Sequence, residues 1–320
     1  MITALISHPA FHHHNDQHPE NPLRLKALET RLAARGLNRQ LHQFDARPAT
    51  DEQLLAVHAE HYLARLQRLA NRADAEHRTL EAAPDTPIDA TRLTAARLAA
   101  GGVARAVDLV MREQCDNAFC AIRPPGHHAE RDSAMGFCLY NNVAVGIAQA
   151  RLRYGVERIA LIDFDLHQCN GSIDIFADDP GVLICSSFQR DLFPWRYQRE
   201  APANVINAAL APGEGAERLR ELIDHDWLPR LEAHRPQLVF LSAGFDAHRE
   251  DPIGELCFED ADFVELTHFA LGVAERHAQR RLVSVLEGGY APKTLSRCVA
   301  LHLDALAGLG VRETPSELPG

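Results

Sequence analysis

The chain has 320 residues, and its 46% hydrophobic content is ample for a large buried core. Its formal net charge is −11, from 33 basic and 44 acidic side chains, which argues against a phosphate backbone, and so against nucleic acid, as partner. No apolar run is long enough to span a bilayer, so no membrane partner is expected. The first residues, Met1 to His8, lack the basic and long apolar segments of a signal peptide. Seven cysteines without a Cys-x-x-Cys pair fit reduced thiols, and a cytoplasmic location is expected.

Short apolar runs at 117–122, 158–162, 181–185, 237–241 and 281–286 predict buried strands. Amphipathic stretches rich in Ala, Leu and Arg separate them, at 91–113, 141–154, 216–234, 259–280 and 293–309. This alternation predicts an α/β fold, with a parallel sheet covered by helices on both faces. The polar segment 69–89 reads as a long surface loop, and the tail after 308 as frayed. No repeat, low-complexity linker or break in composition divides the chain, so 1–320 is expected to be one domain.

The predicted strands end in chemistry. Asp163-Phe-Asp165-Leu-His167 closes the second with acid, acid and imidazole at alternate positions, which a period of two points the same way. Two carboxylates and a neutral imidazole suit a divalent cation such as zinc. The first strand leads to Arg123-Pro-Pro-Gly-His127-His128, and the third to Ser186-Ser187. The fourth ends in Ser242-Ala-Gly-Phe-Asp246, the fifth in Glu287-Gly-Gly-Tyr290. In parallel sheets, ligands lie outside the carboxyl ends of strands. No single motif here is specific; their joint placement is.

Together with Gly136-Phe137-Cys138, His18-Pro-Glu20-x-Pro22-x-Arg24 and Val57-His58…Tyr62, these motifs resemble the zinc-dependent histone deacetylase family. The likeness runs from near residue 5 to about 305 and is greatest to bacterial class II-like amidohydrolases, among them acetylpolyamine amidohydrolases. It implies the arginase/deacetylase fold, with a parallel sheet of about eight strands. It further implies a hydrolase that acts on amide bonds outside peptides, releasing an acyl group from a lysine-like amine or a polyamine. One zinc ion would be held by Asp165, His167 and Asp246. His127, backed by Asp163, would be general base, and His128, backed by Asn170, general acid. Tyr290 would donate to the substrate carbonyl oxygen. Phe137 and Phe193, with Gly136, would wall an acyl-lysine tunnel. Arg24 would lie near the exit path of the acid product. A potassium ion would sit beneath the zinc, on Asp163, Ser186 and main-chain oxygens.

The chemistry of these residue types agrees. Two Asp ligands cancel the charge of zinc and acidify its water less than three histidines do, so a protein base is needed. A hydroxyl donor opposite the metal would stabilise the tetrahedral oxyanion.

Other positions carry weaker expectations. His12-His13-His14 is read as a solvated turn, His58 and His248 as packed or surface histidines, and Trp195 and Trp227 as packing residues. Asp85 or Asp89 either contacts substrate at the rim, as an Asp of this loop does in relatives, or serves solubility. Where polyamine-preferring relatives carry Glu, this chain has Ile253, which predicts acyl-lysine over acetylated polyamines. Where relatives read His-His-Gly-Asn-Gly, it reads His167-Gln168-Cys169-Asn170-Gly171. Cys169 then either strains a turn or brings a competing thiol near the metal, or packs harmlessly. Two alternatives stay open: a catalytically silent acyl-lysine binder, and a ureohydrolase with two manganese ions, which would want an acid where His248 stands. Self-association into a homo-oligomer also stays open.

Overall fold

In the computed structural model, which describes residues 1–12 and 18–309, the apolar runs become strands and the amphipathic stretches helices. The strands are β1 (Thr3–Ser7), β2 (His42–Asp45), β3 (Leu80–Ala83), β4 (Thr86–Ile88), β5 (Asn117–Cys120), β6 (Ile159–Asp163), β7 (Val182–Gln189), β8 (Val205–Leu210), β9 (Leu238–Ala243) and β10 (Leu282–Leu286). Eight of them form one sheet in the order β2-β1-β5-β10-β9-β6-β7-β8, and every pairing in it is parallel. The strands β5, β6, β7, β9 and β10 are buried along their whole length, which is why they read as unbroken apolar runs.

Helices cover both faces. They are α1 (Leu23–Ala34), α2 (Asp51–Leu55), α3 (Glu60–Ala75), α4 (Ala90–Met111), α5 (Asn142–Tyr154), α6 (Asn170–Phe176), α7 (Ala216–Leu222), α8 (Leu228–His234), α9 (Asp260–His277) and α10 (Pro292–Leu306). Asp89 caps α4 by accepting from the Arg92 N–H at 2.8 Å. Asn141 caps α5 through the Ala144 N–H at 3.0 Å. One continuous apolar cluster runs from Ala4 to Ala307.

The expectation of a loop over 69–89 needs correction. Residues 69–75 continue α3, whose Tyr62, Leu66, Ala70 and Ala73 make a buried stripe at helical spacing. Residues 80–88 form the antiparallel hairpin β3–β4. The predicted helix over 216–234 is α7 and α8 joined by a π-turn at Ile223–Trp227. The sheet's two outermost strands, β2 and β8, escaped notice because edge strands keep polar or half-exposed positions. His13 and His14 lie outside the described residues, as does the tail from 310; His12 meets Glu29 at 2.8 Å.

Candidate metal centre and active site

The site is built at the carboxyl ends of the central strands β5, β10, β9, β6 and β7. β6 stops at Asp163 and the chain then bends, so the alternation read from the sequence holds only in part. Asp163 turns to His127, while Asp165 and His167 meet Asp246, which follows β9. The ligand atoms of these last three, all buried, lie within 4.8 Å of one another. His167 Nδ1 is 3.0 Å from Asp165 Oδ1 and 3.2 Å from Asp246 Oδ2.

Backbone groups aim the two carboxylates. Asp165 Oδ2 accepts from the Gly288 N–H at 2.8 Å, and Asp246 Oδ1 from the Leu166 N–H at 3.0 Å. Asp246 Oδ2 is buried with no hydrogen-bond partner. Only glycine fits at 288, since a Cβ there would stand 2.2 Å from Asp246 Oδ2. Two carboxylate oxygens and an imidazole nitrogen, one oxygen left without a donor, fit a divalent cation.

The charges in this group act on one another. Burial pulls His167 down, but the bond to Asp165 and the nearby Asp246 outweigh it and raise its pKa to about 9. Burial opposes ionisation of Asp165 too, yet His127 and His167 hold it below the usual carboxylate range. Asp246 is pushed up by burial and by the charge of Asp165.

The histidine pair follows β5, with ring centroids 4.0 Å apart. His127 Nδ1 lies 3.0 Å from Asp163 Oδ2, and His128 Nδ1 lies 2.6 Å from Asn170 Oδ1. Their pKa values are driven apart. Burial lowers His127, but Asp165 and Asp163 raise it to about 10. Burial, reinforced by His127 and His167, holds His128 well below its ordinary value. The backbone N–H groups of Gly126 and His127 both donate to Glu287 Oε2, at 2.7 and 3.2 Å. Burial pushes that carboxyl up to about 7.

Tyr290 follows β10 and is held from two sides. Its N–H donates to Asp251 Oδ2 at 2.6 Å, and the Arg24 guanidinium stacks 5.0 Å from its ring. Burial keeps its hydroxyl protonated far above neutral pH. Arg24 is itself buried, donating to Gly289 O at 2.7 Å and Glu287 O at 2.5 Å. Phe137 packs edge-on against Tyr290, and Phe193 edge-on against His128 at 5.0 Å and His167 at 6.1 Å. Gly136, at φ +53°, passes so close to His128 that a Cβ would meet its ring at 2.4 Å.

Asp163 and Ser186 are register partners on β6 and β7, and Ser186 Oγ is buried without a hydrogen-bond partner. Asp85 is exposed at the tip of the β3–β4 hairpin, beside Thr86, whose hydroxyl accepts from the Phe137 N–H at 3.1 Å. Asp89 is a helix cap. Ile253 is half-buried against the core. His58 is packed, bonded to Glu130 O and to the Asn141 N–H. Trp227 is fully buried, but Trp195 is 70% exposed, which corrects its assignment to packing; it meets only the edge of Phe193 among aromatic rings of the described residues.

His248, Asp260 and Cys298 also bring three ligand types together. There His248 Nδ1 accepts from the Glu250 N–H at 3.1 Å, so Nε2 carries the proton and donates to Asp260 at 3.1 Å. That nitrogen has no lone pair for a metal. Sequence reasoning gave no role to Asp251, Glu130 or Arg123. Arg123 pairs with the buried Glu20, and each of these contacts joins residues distant in sequence.

Residues 18–306 match the histone deacetylase domain. The chain is 38% identical to a "Histone deacetylase-like amidohydrolase" of Pseudomonas aeruginosa, over 91% of this chain and 77% of that one. It is 34% identical to a "Probable deacetylase" of Archaeoglobus fulgidus, over 100% and 91% of the two chains. It is 32% identical to the human "Polyamine deacetylase HDAC10", over 90% of this chain and 44% of that one. The solved HDA15 HD domain superposes with a TM-score of 0.89 at 28% identity, covering 99% and 92% of the two chains.

Proposed function

The chain belongs to the histone deacetylase family of amidohydrolases, and from that premise we propose that it is a zinc-dependent deacylase of a lysine-like amine. The observation that carries this is the buried Asp165–His167–Asp246 group, with its unpartnered Asp246 Oδ2, beside two oriented histidines and a tyrosine. A divalent ion held by those three residues would polarise the amide carbonyl and acidify a water molecule.

The chain's own groups supply the rest. His128 is kept neutral first by burial and then by the charge on His127, which supports a base role at Nε2. His127, held cationic by Asp165 and Asp163, suits the stabilisation of negative charge and protonation of the leaving amine. Asp163 lies outside the ligand group, so its pull on His127 does not depend on the cation. This division reverses the order of base and acid implied by resemblance. The Tyr290 hydroxyl, protonated at neutral pH, donates to the developing oxyanion. Phe137 and Phe193 close the acyl tunnel, with Asp85 and Ile253 at its rim. A carboxylate product released beneath Tyr290 would meet Arg24. The unpartnered Ser186 Oγ beside Asp163 suits a potassium ion.

A turnover screen of the zinc-loaded protein against acetyl-lysine peptides, longer acyl-lysines and acetylated polyamines tests this. Hydrolysis of an acyl-lysine supports it. No turnover of any substrate, with metal bound, overturns it.

A further inference from the structure

We propose that Glu130 is a positioning residue for the reaction: it orients the Asn170 amide and thereby fixes which nitrogen of His128 carries the proton. The proposal rests on the deacylase function argued above. Asn170 Nδ2 lies 2.8 Å from Glu130 Oε1, and Asn170 Oδ1 lies 2.6 Å from His128 Nδ1. A carboxylate only accepts hydrogen bonds, so the amide end facing Glu130 must be the NH2. Its oxygen therefore faces His128, and an acceptor there demands a proton on Nδ1. Nε2 is left with the lone pair that a base requires.

The geometry has little slack. The other acceptors near Asn170 Nδ2 are His128 O, long at 3.4 Å, and Met135 Sδ, a weak thioether acceptor at 3.4 Å, so the Glu130 carboxylate is the strongest of the three. Glu130 is itself held. Arg196 reaches both of its oxygens, at 2.6 and 2.7 Å, and the Ser133 hydroxyl donates to Oε2 at 3.3 Å. Its backbone N–H bonds Ser133 O and its carbonyl meets His58 Nδ1. Arg196 follows Phe193 by three residues, so this ion pair also ties the tunnel wall to the histidine pair. An amide at 170 moves the negative charge outward, from the residue touching His128 to Glu130, where Arg196 balances it.

Four variants separate positioning from simple anchoring. E130A removes the acceptor and should lower kcat about tenfold or more, with KM and bound metal nearly unchanged, as for other residues that orient a catalytic group. E130Q keeps an acceptor oxygen and should retain most of kcat. N170D sets a second carboxylate against Glu130 and leaves no amide to orient. In that background E130A should therefore raise kcat. A Glu130 that merely anchors Arg196 would make E130A harmful in both backgrounds, and that result overturns the proposal. If E130A does not fold, E130M keeps the volume without an acceptor and takes its place. Imidazole 15N NMR reads the same question without turnover. His128 should carry its proton on Nδ1 in the unaltered protein and in E130Q, and show mixed tautomers in E130A. If the unaltered protein hydrolyses nothing, the deacylase function falls while the NMR still decides; an unchanged Nδ1–H signal in E130A overturns the relay.

Discussion

Asp246 Oδ2 stands 3.2 Å from His167 Nδ1 and receives no directed hydrogen bond, because that nitrogen is already turned to Asp165 Oδ1 at 3.0 Å. One N–H shared between two carboxylates serves each only weakly, whereas one cation binds both at full strength. The chain should therefore bind one divalent ion tightly, and Asp246→Ala or His167→Ala should lose most of it by elemental analysis. Full metal content in both variants would exclude this site.

The same geometry sets a pH dependence. Below about pH 9 His167 holds a proton that the cation must displace. Metal affinity should thus climb by about tenfold per pH unit between pH 7 and 9 and then level off. The sign for stability is the opposite in metal-free protein. A raised histidine pKa stabilises the fold fully below its unfolded value, roughly 6.5. That stabilisation is lost as pH rises through about 9. The gap in Tm between loaded and metal-free protein should widen over this range, as melting curves from pH 6 to 9.5 would show. A constant gap would mean that Nδ1 is already free.

Tyr290→Phe removes a hydroxyl and keeps the ring that packs between Phe137 and Arg24. Folding and metal content should be normal, while kcat falls by about a hundredfold, the usual worth of one oxyanion donor. An effect confined to KM would show that the tyrosine only seats the substrate.

Much of this site was legible because its residues cluster at strand ends. Asp165, His167 and Asp246 could be picked out from apolar runs that stop in acid and imidazole, and the structure brings them together. Asp163 shows the limit. The period of two places it with the other two, but β6 ends at Asp163 and the bend sends its side chain to His127 instead. Glu130 and Asp251 were invisible for a different reason. Each acts on a partner about 40 positions away, Asn170 and Tyr290, and nothing in local pattern records such a contact. Trp195 reads as core by residue type, yet it lies on a loop, at φ +56°, with its ring in solvent.

Cys169 has φ −77°, so no left-handed strain demands glycine there. Its thiol is buried and outside the metal-ligand group, and burial pushes its pKa well up. Gln168 is the residue with work to do. Its Nε2 donates to Tyr197 O and to Asn207 Oδ1, both at 3.0 Å, and so pins the loop that carries Phe193. Cys169→Gly should change kcat/KM by less than about threefold, or ~0.7 kcal/mol in barrier. Gln168→Ala should free the loop and raise KM more than it lowers kcat. The reverse ranking in steady-state kinetics would place the constraint in the turn rather than in the loop.

Family membership does not choose the amine, since a polyamine deacetylase is among the relatives of this chain. Ile253 bears on that choice. Its backbone N–H donates to Asp251 Oδ1 at 3.1 Å, and the other oxygen of Asp251 holds the Tyr290 N–H. Position 253 thus rides on the turn that places the tyrosine. On the rim proposed above, an apolar side chain at 253 would give a polyammonium tail no partner. The net charge of −11 attracts cations only over screened distances. Unaltered protein should therefore favour acyl-lysine peptides, and Ile253→Glu should raise kcat/KM for acetylated polyamines about tenfold relative to them, or ~1.4 kcal/mol. Competing both substrates against each variant measures the ratio directly. A polyamine preference in the unaltered chain, or no shift with Glu, would place the selectivity elsewhere on the rim, where Asp85 is the next acid to test.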